Sequence, residues 1–66
     1  MQELIDLIIY MGRDEPNQEF LIEFCDRWCV SFVRTDDYDF ELKYETKYHK
    51  NLIDALNEMV QILDDR

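Results

Sequence analysis

A single glycine, Gly12, and a single proline, Pro16, serve the whole 66-residue chain. Glycine and proline supply much of the turn and stop chemistry of proteins. With one of each, most of the chain must lie in regular elements joined by short connections. No stretch is loose enough to be a linker, so residues 1–66 read as a single domain. That length is near the lower limit at which apolar burial alone offsets conformational entropy. Hydrophobic residues at 47%, with Trp28, four Phe and four Tyr among them, can build such a core. They are too many for a disordered acidic tail.

The hydrophobic pattern divides the chain into five segments. From Gln2 to Met11, residues Leu4, Ile5, Leu7, Ile8, Ile9 and Met11 fill one wide helical arc, and Gly12 supplies the stop. A strand through Ile5–Tyr10 is the competing assignment for so short an apolar run. Asp14-Glu15-Pro16 has the form of a helix start. The helix expected after it places Phe20, Leu21, Phe24, Cys25 and Trp28 on one face and Glu19, Glu23, Asp26 and Arg27 on the other, and ends near Arg27 or Trp28.

From Trp28 the period changes to two. Trp28, Val30 and Phe32 alternate with Cys29, Ser31 and Val33, then Tyr38, Phe40, Leu42 and Tyr44 alternate with Asp39, Glu41, Lys43 and Glu45. These read as the two strands of a hairpin. A three-residue loop, Thr35–Asp37, opposes Phe32 to Phe40, Val30 to Leu42 and Trp28 to Tyr44, so that apolar residues share a face. The last segment is a helix capped by Asn51, with Leu52, Ile53, Ala55, Leu56, Met59, Val60, Ile62 and Leu63 on its inner half. The expected fold is α+β, helix-helix-strand-strand-helix, with a two-stranded antiparallel hairpin packed on helices. The alternative, with the first segment a strand, is βαββα.

Formal charge is −9 at pH 7, from 16 Asp and Glu against 7 Lys and Arg. All of the excess falls before residue 27 and after residue 50, and the neutral centre carries a small basic patch at Lys43, Lys47 and Lys50. Such a balance repels phosphate backbones and attracts strongly basic surfaces. Direct nucleic-acid binding is therefore disfavoured, although Lys43–Lys50 interleaves rings and cations.

Chemistry-bearing motifs are lacking. Cys25, Cys29 and His49 do not have the spacing of a zinc finger, and both cysteines read as small hydrophobes, Cys25 on the buried helix face. One serine, Ser31, and one histidine, His49, leave no nucleophile-and-base pair. Asp36-Asp37-Tyr38-Asp39 lacks the glycine and terminal glutamate of a calcium loop. No enzyme activity, cofactor or metal is expected. No apolar run approaches the roughly 20 residues of a membrane span, and Met1-Gln2-Glu3 lacks the basic start of a signal peptide. With two free thiols, this points to a cytoplasmic location.

In size, acidity and lack of motifs the chain resembles the small phage-encoded inhibitors of the DNA-mimic, anti-restriction and anti-CRISPR kind. The resemblance implies a nuclease or nucleic-acid-binding complex as target. The residues expected to meet such a basic partner are Glu19, Glu23, Asp26, Asp36, Asp37, Asp39 and Glu41. The other expectation is a structural or regulatory subunit that binds through an open hairpin edge, or pairs with a second copy there.

Overall fold

The computed structural model describes residues 1–13, 17–35 and 39–66. The element order is α1 (Gln2–Met11), β1 (Gln18–Cys25), β2 (Arg27–Thr35), β3 (Phe40–Glu45) and α2 (Leu52–Asp65). The class is α+β, with an antiparallel hairpin packed on helices as expected, and the first segment is the helix. The segment expected to form a second helix is instead a strand, β1. It pairs with β2, and β3 pairs on the other side, giving an antiparallel sheet in the order β1-β2-β3.

Tertiary pairing explains why Gln18–Cys25 is extended. Its residues Phe20, Ile22 and Phe24 also alternate with period two, and in that conformation they stand opposite Phe32, Val30 and Trp28. The rings of Phe20 and Phe32 lie 5.2 Å apart, and those of Phe24 and Trp28 lie 4.7 Å apart. A two-stranded hairpin is marginal in water, and a third strand adds the cross-strand pairs that stabilise it. The strand is bracketed by Asn17 at φ 59° and Asp26 at φ 74°. Asn and Asp enter this left-handed region at less cost than other non-glycine residues, so both bounds fall where the sequence allows them.

The hairpin register also differs from expectation. Phe32 faces Tyr44, Val33 faces Leu42 and Thr35 faces Phe40, with a β-bulge between Phe32 and Val33. The extra residue of the bulge shifts the alternation of β3, so Tyr44 points to the helix side while Phe40 and Leu42 point away from it. The strand ends stand at Thr35 and Phe40, four positions of connection apart rather than three, and Asp36, Asp37 and Tyr38 lie outside the described residues. The Asp14-Glu15-Pro16 start signal lies outside them as well.

Beyond β3 the chain stays beside β2. Thr46 N–H donates to the Val30 carbonyl at 3.0 Å, and Trp28 and His49 exchange N–H···O bonds of 2.6 and 2.7 Å. His49 Nε2 then donates to Glu58 Oε1 at 2.6 Å, and Lys47 N–H donates to the same oxygen at 3.0 Å. These bonds fasten the sheet's exit to α2. The Glu58 carboxyl is held below its usual value of 4.5, first by the bond from His49, against partial burial.

The core lies on one side of the sheet. Ile8 of α1, Val30 and Phe32 of β2, and Ala55, Leu56, Met59 and Leu63 of α2 are almost wholly withdrawn from water. α2 lies against β2 and β3, and α1 lies against α2. The Arg66 guanidinium donates to the Met11 carbonyl, joining the two helix ends. Asn51 stands at the N-cap of α2 with extended backbone, but its side chain makes no cap bond. Gly12 ends α1 at φ −90°, ψ 4°, outside the left-handed region. Its need for glycine is space: a Cβ there would lie 2.7 Å from the tip of the Phe32 ring.

Candidate functional site

All helical packing falls on the face of the sheet that carries Phe20, Val30, Phe32 and Tyr44. The register assigns the opposite face. β1 contributes Glu19, Leu21, Glu23 and Cys25, the central strand contributes Arg27, Cys29, Ser31, Val33 and Thr35, and β3 contributes Phe40, Leu42 and Glu45. Among the described residues no element packs on this face. Its central line is nevertheless closed to solvent: Cys29, Ser31 and Val33 are each at most 2% exposed. The outer residues stay accessible, Phe40 at 69% and Leu42 at 49%.

Three carboxylates, Glu19, Glu23 and Glu45, therefore stand around an apolar strip of Leu21, Val33 and Leu42. Glu19-Val33-Leu42 is one row across the sheet and Leu21-Ser31-Glu45 the next. Successive same-face residues along a strand are about 7 Å apart, so charged and apolar groups alternate within the reach of one side chain. The face ends at Cys25, Asp26, Arg27 and Tyr48, which line a shallow hollow of about 280 Å³. Burial pushes the Cys29 thiol up, a Thr46 hydrogen bond partly offsets this, and Glu45 and Glu23 add to the rise. The Tyr48 phenol is also raised, chiefly by the charge Cys29 would carry as a thiolate.

The expected partner-binding residues separate into three groups. Glu19 and Glu23 do share a face, with Asp26 beside them at the turn into β2, but the face is that of a sheet rather than a helix. Asp39 is exposed just before β3. Glu41 stands opposite Arg34 on the helix side and lies 3.9 Å from Lys43, so it does not join Glu19 and Glu23. Asp36 and Asp37 lie outside the described residues. Leu21 was missed because a helix puts it on the buried face, and Phe40 and Leu42 because strict alternation through β3 assigns them to the core until the bulge reverses them; Glu45 falls on the outer face in either register.

Cys25 is exposed rather than on a buried face, and Cys29 is the buried thiol. Among the described residues, no group of three or more His, Cys, Asp and Glu is arranged to hold a metal ion. No described helix is long and apolar enough to cross a membrane. A second hollow, about 550 Å³, lies between the end of α1 and the start of β1, lined by Ile9, Gly12, Gln18, Phe20 and Phe32 among others. The Gln18 carboxamide turned into this region has no hydrogen-bond partner among the described residues. Comparison with family models, curated proteins and solved structures found no match for this chain.

Proposed function

We propose that this protein is a non-enzymatic acidic binding protein that occupies a basic surface of a partner protein, in the cytoplasm, through the open face of its sheet. One observation carries this reading: Glu19, Glu23 and Glu45 surround an apolar strip on the face that no described element covers. A net charge of −9 steers such a molecule toward basic surfaces. The apolar strip provides the contact that charge alone does not, since exposed ion pairs contribute only about 0.2–1 kcal/mol each. A basic patch or stripe is the electrostatic footprint of a surface built to hold nucleic acid. Occupying one would exclude the nucleic acid, which makes inhibition of a nuclease or nucleic-acid-binding complex the favoured outcome.

The test is affinity capture from a bacterial lysate with elution by a salt gradient, repeated with Glu19→Lys, Glu23→Lys and Glu45→Lys combined. The captured partner should elute early in the gradient and be lost from the variant. A partner retained equally by both proteins, and unmoved by high salt, refutes the reading. A second reading, a subunit that binds through apolar surface, draws on Phe24 and Ile22, exposed at 61% and 38%. It requires a salt-insensitive complex or a stable dimer in light scattering.

A further inference from the structure

The two edges of the sheet are not equivalent. β3 is six residues long, carries the bulge and presents Lys43, all of which blunt an edge against further pairing. β1 runs eight residues in unbroken register with β2 and contains no proline, lysine or arginine. Among the described residues nothing pairs on its outer side.

The direction of its free backbone groups follows from the bonds of β2. Trp28 and Val30 direct their N–H groups at His49 and Thr46, and accept from the same two residues. Backbone groups alternate sides along a strand, so Cys29, Ser31 and Val33 bond toward Glu23, Leu21 and Glu19 of β1. The bond from Thr35 N–H to the Asn17 carbonyl, 2.9 Å, continues the same parity. Phe20, Ile22 and Phe24 of β1 therefore aim their N–H and C=O groups outward. Their side chains lie on the helix side, where Ile22 and Phe24 are exposed, while Glu19 and Glu23 point to the open face.

We infer that β1 is a template for strand addition, and that its occupant is an extended, alternating basic and apolar segment of a partner protein, paired antiparallel. Apolar residues of that segment stand opposite Phe20, Ile22 and Phe24 and exchange backbone bonds with them. Its Lys or Arg residues fall on the other face, beside Glu19 and Glu23, with a stem over Leu21. Charge decides the occupant: a second copy would bring another −9 and a strand with the same two carboxylates, whereas a basic strand neutralises them. The inference rests on the acidic-binding reading and names the shape of what is bound.

The probe is a capped peptide, Lys-Val-Lys-Val-Lys-Val-Lys, titrated into the ¹⁵N-labelled protein at low salt. Two further peptides carry backbone N-methyl groups, on the valines in one and on the inner lysines in the other, with charge unchanged. In the antiparallel pairing the valine N–H groups face β1 and the lysine N–H groups face solvent. Methylation of the valines should weaken binding at least about tenfold through the lost hydrogen bonds, and methylation of the lysines should change it less than about threefold. Hydrogen exchange of the Phe20, Ile22 and Phe24 amides should slow by at least about tenfold on binding the unmodified peptide.

Equal binding of the two methylated peptides overturns strand addition while leaving the acidic-binding reading standing, since charge alone then explains capture. Shifts centred on β3, or failure of the unmodified peptide to bind, overturn the β1 assignment. A dimer in sedimentation, with these three amides already protected in the absence of peptide, overturns it in favour of a second copy.

Discussion

Replacing Gly12 by alanine sets two effects of opposite sign against each other, and the structure decides between them. At φ −90°, ψ 4° the backbone is accessible to alanine. Gly12→Ala therefore restricts the unfolded chain without straining the folded one, a gain of about 0.4–1 kcal/mol. Against it stands the new Cβ, 2.7 Å from Phe32 Cζ and 2.8 Å from Cε1. The ring must retreat by about 0.7 Å to reach ordinary contact.

Phe32 has little freedom to do so. It is 3% exposed, with Phe20 at 5.2 Å on one side and Tyr44 edge-on at 6.5 Å on another. Overpacking of a closed core costs about 1–3 kcal/mol, so the clash wins and the net loss is about 1–2 kcal/mol. For a domain this small each kcal/mol lowers Tm by about 4–8 °C, which puts the expected drop at about 5–15 °C in thermal unfolding followed by circular dichroism. The urea m-value should not change, because the surface exposed on unfolding is the same. Shortening the ring removes the obstacle: in a Phe32→Leu background, Gly12→Ala should be neutral or stabilising. An unchanged or raised Tm for Gly12→Ala alone, or strict additivity of the two substitutions, would refute the reasoning.

Other residues give sharper local tests. Thr46 Oγ1 accepts the Val30 N–H at 3.1 Å and donates to the Lys47 carbonyl at 2.9 Å in a site nearly closed to water. Thr46→Val orphans that buried donor and should cost about 1–3 kcal/mol in urea unfolding, while Thr46→Ser retains most of the stability; a loss from Thr46→Ser as large as that from Thr46→Val would show that the hydroxyl bonds are not the dominant contribution. Of the two thiols, Cys25 is exposed and Cys29 is buried with its pKa raised by that burial, so a maleimide should label one site quickly and the second only on unfolding. Two rapidly labelled sites in native buffer would contradict the fold. Because the folded-state pKa of Glu58 is depressed, its ionised form stabilises the fold fully above the ordinary value of 4.5 and that contribution is lost as pH falls through the folded value. Glu58→Gln should therefore be less stable than the parent at pH 7 and converge with it in acid; parallel profiles down to the acid limit would show that the His49 bond contributes nothing.

The last helix was legible because its apolar arc is wide and admits no second period of comparable quality, whereas the first segment also admitted a strand through Ile5–Tyr10 and proved to be the helix. The segment 18–25 admits two. Phe20, Leu21, Phe24 and Cys25 satisfy a helix, and Phe20, Ile22 and Phe24 satisfy a strand, so local pattern cannot choose between them. Pairing with β2 does, and it is a long-range property. The left-handed Asn17 and Asp26 were the local signal that could have tipped the choice. Glu19 and Glu23 were nonetheless placed together correctly, because a separation of four is both one helical turn and an even number of strand positions. The register of β3 had no such protection: the bulge reverses Phe40 and Leu42 relative to Tyr44, and no glycine or proline marks it.

The change from helix to strand alters what the acidic surface can recognise. On a helix, Glu19 and Glu23 would have faced solvent on the side opposite Leu21. On β1, Leu21 stands between them on the same face. A purely charged mimic of a phosphate backbone would lose affinity steadily with the logarithm of salt concentration. Here the charged groups of this face, Glu19, Glu23 and Glu45 with Arg27 at its end, are subject to screening, while Leu21, Leu42 and the backbone of β1 are not. Affinity for the partner should therefore fall over low and moderate salt and then level off, and Leu21→Ser should lower the plateau without changing the initial slope. A decline that continues undiminished into high salt would show that the apolar strip takes no part, and would restore charge alone as the basis of recognition.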